Sequence, residues 1–242
     1  MERTAQDAQH WNNIAAEWIA WAQAPNHDAF WAYRDAFRAF VGPGATRTLD
    51  VGCGEGRVSR ELKSLGYQVT ACDAVPAMLA AAQEAGSADE YVQAPVTQLP
   101  FADAAFERVV AYNMLMDVED VPAALREIRR VMRRGGELVV SVVHPFSDRG
   151  RFEGDGAEPP FVVRGGYFGR ERFEGTEERD GLTMHFAGWS LPLETYATAL
   201  ADAGFAITAI REPQPSPAPE FARMGRWARV PLFLWLKARA LD

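Results

Sequence analysis

The chain has 242 residues, of which 48% are hydrophobic and 24% charged, proportions typical of a globular protein rather than a disordered or fibrous one. Its 33 acidic and 25 basic residues leave a net charge of −8, which argues against a partner bound through its phosphates. The longest nearly continuous apolar run, residues 230–236, is far shorter than the roughly 20 residues of a membrane-spanning helix. Composition therefore predicts one globular domain with neither a nucleic-acid nor a membrane partner.

The cysteine content and the N-terminal residues predict a cytoplasmic location. There are two cysteines, Cys53 and Cys72, and residues 1–10 are polar, without the apolar stretch of a signal peptide. No group of side chains has the spacing of metal ligands, so we predict no metal site.

The first forty residues are rich in aromatic side chains at helical spacing. They form two sets, the second preceded by a candidate cap at Asp28: Trp11, Ile14, Trp18 and Trp21, and Phe30, Tyr33, Phe37 and Phe40. The Gly42-Pro43-Gly44 sequence ends the second predicted helix. We assign residues 1–44 to an N-terminal helical lid, whose tryptophans are expected chiefly to pack against the core and also to cover a ligand.

Residues 45–145 alternate short apolar strands with amphipathic helices. The predicted strands are residues 48–51, 69–72, 90–92, 108–111 and 138–143. The helices between them are predicted to end at Gly66, at Gly86 and at the Gly135-Gly136 pair. This alternation predicts an α/β fold, with an open, doubly wound, mostly parallel sheet and helices on both faces.

Residues 146–189 interrupt the alternation with glycines, charges and aromatic side chains. A structureless loop of this length is uncommon, so we expect a substrate-side insertion that contains a hairpin or folds over a ligand. Residues 190–242 are predicted to complete the sheet, with a helix that ends at Gly204, a strand over residues 205–210 and a final strand over residues 232–237. We treat residues 1–242 as a single domain.

The sequence DVGCGEGR, residues 50–57, lies where a predicted strand meets a predicted helix. Gly52, Gly54 and Gly56 permit positive φ and remove Cβ atoms, so the main chain can turn tightly and approach a ligand closely. In an open parallel sheet, ligands bind beyond the carboxyl ends of the strands. The glycine loop therefore predicts a ligand site.

The glycine spacing and the acid after the next strand together indicate the class of ligand. A dinucleotide fingerprint, G-x-G-x-x-G, requires glycine at position 57, where this chain has Arg57. Asp73 directly follows the next strand, where its carboxylate can accept hydrogen bonds from two ribose hydroxyls. Asp73 fits both a dinucleotide and other adenosine ligands, so the glycine spacing favours a ligand without pyrophosphate.

A known family has motifs of this kind in the same order along the chain. They are the glycine loop, Asp73, residues 99–101, and residues 133–136 before Leu138. Over residues 45–145 the sequence resembles the class I S-adenosylmethionine-dependent methyltransferases, specifically the small-molecule group similar to the ubiquinone-biosynthesis enzymes. The resemblance implies a Rossmann-like, seven-stranded sheet with an antiparallel last strand, and S-adenosylmethionine as the cofactor.

The resemblance also implies which residues contact the cofactor. They lie in the glycine loop, after the second, third and fourth strands, and in the N-terminal helix: Asp50, Gly52, Cys53, Gly54, Gly56, Asp73, Ala74, Pro95, Val96, Asn113 and Trp11. Pro95 stands where the family usually has an aspartate that contacts adenine. The adenine contact is therefore expected from the main chain of Ala94 or Val96, or from Thr97 or Gln98.

Three residues are candidates for a general base, which is needed only if the acceptor must lose a proton early. His144 leads because it follows the strand over residues 138–143 and should emerge at the same sheet edge as the glycine loop, although a structural role for it is favoured. His185 and Tyr167, in the insertion, are the alternatives.

The sequence therefore predicts transfer of a methyl group from S-adenosylmethionine to a small molecule by in-line displacement, with release of S-adenosylhomocysteine. Oxygen, nitrogen and carbon acceptors all remain open, and the aromatic residues of the insertion suggest an aromatic or apolar acceptor. Two alternatives stay open. One is an NAD-dependent oxidoreductase, which Arg57 disfavours, and the other is a non-catalytic S-adenosylmethionine-binding protein, suggested by Pro95 and the lack of an unambiguous base.

Overall fold

The structure, a computed structural model, describes residues 4–154, 156 and 158–242. Its helices are α1 Thr4–Asn13, α2 Ala15–Gln23, α3 Phe30–Val41, α4 Arg57–Ser64, α5 Pro76–Glu84, α6 Val121–Val131 and α7 Leu193–Asp202. Its strands are β1 Arg47–Val51, β2 Gln68–Asp73, β3 Glu90–Gln93, β4 Phe106–Tyr112, β5 Met132–Val143, β6 Gly150–Phe152, β7 Phe161–Val163, β8 Glu171–Arg179, β9 Leu182–Ser190, β10 Phe205–Arg211 and β11 Phe233–Ala240.

Seven strands form one sheet in the order β10-β11-β5-β4-β1-β2-β3. Strands β1 to β5 pair in parallel, while β11 lies antiparallel between β5 and β10. The predicted fold class is confirmed, including the antiparallel last strand. Because the parallel strands point the same way, the loops after β1, β2, β3 and β4 meet at one edge of the sheet.

Alternating side chains of the strands separate two apolar layers. Leu49, Val109 and Val140 pack with α6 and α7 on one face of the sheet. Val110 and Val139 face the other way, toward α3 and α4. Both faces of the central strands are buried, which explains their nearly continuous apolar sequences.

Three sequence-based boundaries were wrong. The first predicted helix is two helices, α1 and α2, interrupted at Ile14. Helix α6 ends at Val131, and the predicted stop at Gly135 lies inside β5. The final strand begins at Phe233 and extends to Ala240, because its pairing with β5 and β10 sets its ends.

The insertion contains two antiparallel pairs outside the main sheet, β6 with β7 and β8 with β9. The expected hairpin is therefore present. Strand β9 packs against α2, and Met184 joins Trp18 and Trp21 in a third apolar cluster above the sheet edge. None of the helices in the described part of the chain has the length and apolar character that a membrane crossing requires.

Gly56 gives a test of how tightly the glycine loop packs. A Cβ at this position would lie 2.5 Å from Ser87 Cβ and 2.9 Å from Ala82 Cβ, and its φ is +89°. We expect Gly56→Ala to destabilise the protein by about 2–4 kcal/mol, from positive φ and overpacking together. Gly86→Ala is the matched control, because Gly86 also has positive φ but has nothing within 4 Å of its Cβ position. Urea unfolding should show the larger loss for Gly56→Ala, and equal losses would contradict the packing argument.

Candidate active site

A cavity opens at the sheet edge where the loops after β1, β2, β3 and β4 meet. It encloses about 940 Å³ of empty space, counting its open mouth. Its walls combine main-chain and apolar surface with a few charged groups: Trp11, Trp18, Gly52, Gly54, Arg57, Asp73, Ala74, Val75, Met78, Ala94, Pro95, Val96, Thr97, Tyr112, Asn113, Met114, Asp117, Val118 and Glu119. Cavities of this kind, mostly apolar with a few convergent polar groups, are typical of small-molecule sites.

The glycine loop lies against the end of β2. The main-chain N–H groups of Gly52 and Cys53 both donate to the carbonyl oxygen of Cys72, at 2.8 and 3.1 Å. The next N–H, of Gly54, donates to Asp73 Oδ2 at 2.8 Å. These N–H groups are thus committed within the chain, and a pyrophosphate would have to compete for them.

Asp73 is the carboxylate that faces the cavity from β2. Its Oδ2 accepts from Gly54 N, and its Oδ1 accepts from Val75 N at 2.9 Å. Burial raises the pKa of Asp73, while its main-chain donors lower it. Each carboxylate oxygen keeps a second lone pair for a ligand hydroxyl.

Asp50 lies beneath the glycine loop and does not line the cavity. Its Oδ2 accepts a hydrogen bond from Ser59 Oγ at 2.5 Å, which ties β1 to α4. Burial raises the pKa of Asp50 to about 7. The residue supports the loop from behind.

Asn113 follows β4 with a φ of +50°, a conformation that is uncommon for residues other than glycine. Its main-chain N–H donates to Ser141 O at 2.8 Å, and its Oδ1 accepts from Ser141 Oγ at 2.6 Å. These two bonds to β5 hold Asn113 at the cavity wall.

Four polar residues of the cavity were not assigned a ligand contact from the sequence, Arg57, Tyr112, Asp117 and Glu119. The Arg57 guanidinium lies 4.7 Å from the Trp18 ring centre, and its Nη2 is 3.3 Å from Asp28 Oδ2. Arg57 Nε and the Tyr112 hydroxyl are buried and have no hydrogen-bond partner within the described part of the chain. The available sequence signal for Arg57 and Tyr112 was their position, directly after the glycine loop and at the end of β4.

His144 is not part of the cavity wall, contrary to the expectation from the sequence. Its Nδ1 accepts from Phe146 N at 3.1 Å, so its Nε2 carries the proton and donates to Glu212 Oε1 at 3.0 Å. Both ring nitrogens are occupied because the chain turns back over the ring after β5. The residue has a structural role here.

The other two base candidates also lie outside the cavity wall. The Tyr167 hydroxyl accepts from Leu193 N at 3.1 Å. His185 Nδ1 lies 2.8 Å from Glu17 Oε2, which links β9 to α2. The sequence could not place the side chains of the insertion relative to the cavity, because its strands pair with each other and not with the main sheet.

The structure gathers most of the predicted cofactor residues around the cavity and leaves three behind it. Those on the wall are Trp11, Gly52, Gly54, Asp73, Ala74, Pro95, Val96 and Asn113. Asp50, Cys53 and Gly56 do not line the cavity, and burial raises the pKa of the Cys53 thiol. Among the described residues, no group of three His, Cys, Asp or Glu side chains could hold a metal ion.

Comparison with known proteins agrees with this architecture. Residues 49–140 match the model of a methyltransferase domain. An S-adenosylmethionine-dependent methyltransferase of Mesorhizobium loti is 29% identical, covers 88% of this chain and 98% of its own, and superposes with a TM-score of 0.68. Residues 49–140 therefore form a methyltransferase domain, and most of the chain is similar to an S-adenosylmethionine-dependent methyltransferase. The cofactor of this family is S-adenosylmethionine.

Curated relatives match this methyltransferase domain over a shorter stretch. A malonyl-[acyl-carrier protein] O-methyltransferase of Erwinia pyrifoliae is 41% identical over 99 residues, 41% of this chain and 38% of that protein. A demethylmenaquinone methyltransferase of Mycobacterium marinum is 41% identical over 115 residues, 47% of this chain and 48% of that protein. The matches thus span about half of these relatives or less, and the two relatives act on different acceptors by name.

The pH dependence of the free energy of unfolding tests whether the Asp50 carboxyl group is protonated in the folded protein. Because its pKa is about 7 when folded and about 4 when unfolded, the folded protein retains this proton between pH 4 and 7, where the unfolded chain loses it. The contribution of Asp50 to stability is therefore complete below about pH 4 and falls as the pH rises to 7. Asp50→Asn does not titrate, so its stability relative to the natural protein should rise with pH, by on the order of a few kcal/mol.

Urea unfolding at a series of pH values measures this difference. Ser59→Ala removes the donor that lowers the pKa of Asp50, so its stability should keep falling to higher pH than that of the natural protein. A pH-independent difference for Asp50→Asn would contradict the assignment.

Proposed function

We propose that the chain transfers the methyl group of S-adenosylmethionine to a small-molecule acceptor. The observation that carries this proposal is the cavity in which Asp73, at the end of β2, faces a glycine loop whose N–H groups are already bonded to β2. That arrangement suits the ribose of an adenosine ligand without pyrophosphate.

The nucleoside end of the cofactor would lie between the loops after β2 and β3. The Asp73 carboxylate would accept hydrogen bonds from the two ribose hydroxyls. Ala94, Val96 and Thr97 would form the wall against the adenine. Ala94 N already donates to Asp73 O at 3.0 Å, so the adenine must be recognised by the other groups of this loop. Pro95 has no N–H, and its carbonyl oxygen already accepts from Gln98 N at 3.0 Å.

The methionine end would lie beside Arg57 and Tyr112. Both carry a buried donor with no partner in the described part of the chain, and a buried unpaired donor costs about 1–3 kcal/mol. A carboxylate of the ligand would satisfy both donors. The positive charge of Arg57 is already paired with Asp28, which keeps the empty cavity from carrying an isolated buried cation.

S-adenosylmethionine supplies a methyl group on a sulfonium sulfur that leaves as a neutral thioether, so the donor is already activated. The protein then has to orient the acceptor and exclude water, and correct orientation can contribute roughly 7–11 kcal/mol. Trp11 and Trp18, from α1 and α2, cover the cavity with edge-to-face rings 5.7 Å apart. They give the N-terminal segment its role as a lid.

Replacement of Asp73 tests the nucleoside end. Asp73→Ala should weaken S-adenosylhomocysteine binding at least tenfold, about 1.4 kcal/mol, in calorimetric titration of protein stripped of bound ligand. The natural protein should not bind NAD. Binding that does not depend on Asp73 would refute the proposed site, while binding without transfer of labelled methyl to any acceptor would favour a non-catalytic protein.

Replacement of Tyr112 tests the methionine end with a matched control. Tyr112→Phe removes an unpaired buried hydroxyl, so it should leave stability unchanged or higher while weakening S-adenosylhomocysteine binding by about three- to tenfold. Tyr33→Phe also removes a buried unpaired hydroxyl, but Tyr33 does not line the cavity, so affinity should not change. Adenosine, which lacks the methionine chain, should bind equally to all three proteins. Equal loss of adenosine binding in Tyr112→Phe would contradict the placement.

A further inference from the structure

The connection between β4 and α6 forms a part of the cavity wall to which the cofactor has not been assigned. Residues 117–119 of this connection all line the cavity. Hydrogen bonds fix the segment at both ends. Asp117 N donates to Met114 O at 3.0 Å, and the Asp120 side chain caps α6 by accepting from a main-chain N–H of its first turn at 2.8 Å. The backbone at Glu119 therefore has a defined place on the wall.

The two acids of this segment have different surroundings. Asp117 packs against β9 of the insertion, where a Cβ on Gly188 would lie only 3.0 Å from Asp117 Oδ1. Glu119 is half-buried, and its carboxylate has no hydrogen bond or ion pair within the part of the chain that the structure describes. Glu119 is therefore the acid of this segment whose oxygens are available to a ligand.

The cavity wall as a whole carries an excess of negative charge. It has three acids, Asp73, Asp117 and Glu119, and one base, Arg57, whose charge is already paired with Asp28 at 3.3 Å. S-adenosylmethionine brings one net positive charge, so the wall stays negative when the cofactor is bound. A wall of this charge attracts a cationic second ligand and repels one with a carboxylate.

An aromatic ring on the same wall is also suited to a cation. Trp11 is half-buried and packs edge-to-face with Trp18 and His10, with ring centres 5.7 and 5.6 Å apart. Arg57 already lies over the Trp18 ring at 4.7 Å, whereas no Lys or Arg among the described residues lies over Trp11. Carboxylates and the faces of tryptophan rings are the groups with which proteins bind ammonium ligands.

We propose that Glu119 binds a cationic group of the methyl acceptor, so that the protein takes amine-bearing acceptors in preference to neutral or anionic molecules of the same shape. The Glu119 carboxylate accepts the N–H groups of the ammonium, and Trp11 supplies an aromatic surface beside it. This assignment rests on the proposed function, because both residues line the cavity that would hold the cofactor. The buried, unpaired Tyr112 hydroxyl on the same wall is independent evidence that the cavity is built for a ligand.

A purely structural role for Glu119 gives a different expectation. An acid just before α6 interacts favourably with the N-terminus of that helix, which would affect stability and not the choice of ligand. Glu194 provides the matched control, because it is an exposed acid in the first turn of α7 and does not line the cavity. Glu119→Gln and Glu194→Gln should cause similar, small losses of stability in urea unfolding, and only Glu119→Gln should change ligand preference.

The test measures the binding of three probes to the protein saturated with S-adenosylhomocysteine. Benzylamine, benzyl alcohol and benzoate share a ring and differ in charge, and ligand-observed NMR titration at pH 7 gives their affinities. Benzylamine should bind about fivefold more tightly than benzyl alcohol, as expected for a partly exposed ion pair, and benzoate should bind most weakly. Raising NaCl from about 0.05 to about 0.5 M should reduce this preference, because salt screens the charges.

Variants at position 119 assign the preference to this side chain. Glu119→Gln keeps the shape of the side chain and removes its charge, so benzylamine and benzyl alcohol should bind equally. Glu119→Lys reverses the charge, so benzoate should become the tightest of the three probes. Glu194→Gln should keep the order of the natural protein, and all three variants should keep its affinity for S-adenosylhomocysteine.

Failure of the natural protein to bind S-adenosylhomocysteine would overturn the proposed function itself. With that binding intact, three results would overturn the role of Glu119 alone: no preference for benzylamine, a preference that survives Glu119→Gln, or displacement of S-adenosylhomocysteine by benzylamine. A fourth is weaker binding of S-adenosylmethionine, but not of S-adenosylhomocysteine, in Glu119→Gln, because the acid would then contact the sulfonium of the cofactor instead of the acceptor.

Discussion

The carboxylate of Asp73 joins the two loops on which the cavity depends. One oxygen accepts from Gly54 N in the loop after β1, and the other accepts from Val75 N at the start of α5. The same contacts hold Asp73 at the cavity wall, so one side chain both joins these loops and forms part of the wall. The carbonyl oxygen of Cys72 accepts hydrogen bonds from two further N–H groups of the glycine loop. A loop bonded in this way presents the carboxylate of Asp73 to a ligand rather than its own N–H groups.

The N-terminal helices are linked to the glycine loop and to the insertion through charged contacts. Arg57 stacks on Trp18 of α2 and pairs with Asp28, whose Oδ1 also accepts from Phe30 N at the start of α3. The carbonyl oxygen of His27, in the same connection, accepts from Arg179 at the tip of the β8–β9 hairpin. The helices that carry Trp11 and Trp18 are therefore held by parts distant in sequence, and Arg57 connects them to the glycine loop.

Buried polar groups divide into those that the fold satisfies and those for which the described residues offer no partner. Asp50 and Asn113 have partners on neighbouring elements, Ser59 and Ser141, and so stabilise the walls of the site. The hydroxyl of Tyr112 has none in the described part of the chain and lines the cavity. Tyr33 shows that an unpaired buried hydroxyl alone is not evidence of a site, because it lies away from the cavity. The informative combination is an unpaired polar atom on a cavity wall.

The sequence by itself determined the order of the elements, the fold class and the glycine loop with Asp73, because these depend on local periodicity and on the meeting of parallel strand ends at one edge. It could not separate Gly52 and Gly54, which line the cavity, from Cys53 and Gly56, which pack behind it. It favoured His144 by strand position, but the direction of that ring is set by Glu212, 68 residues further along the chain. Arg57, Tyr112 and Asp117 joined the site only in three dimensions, because long-range packing decides which way a side chain beyond a strand end points.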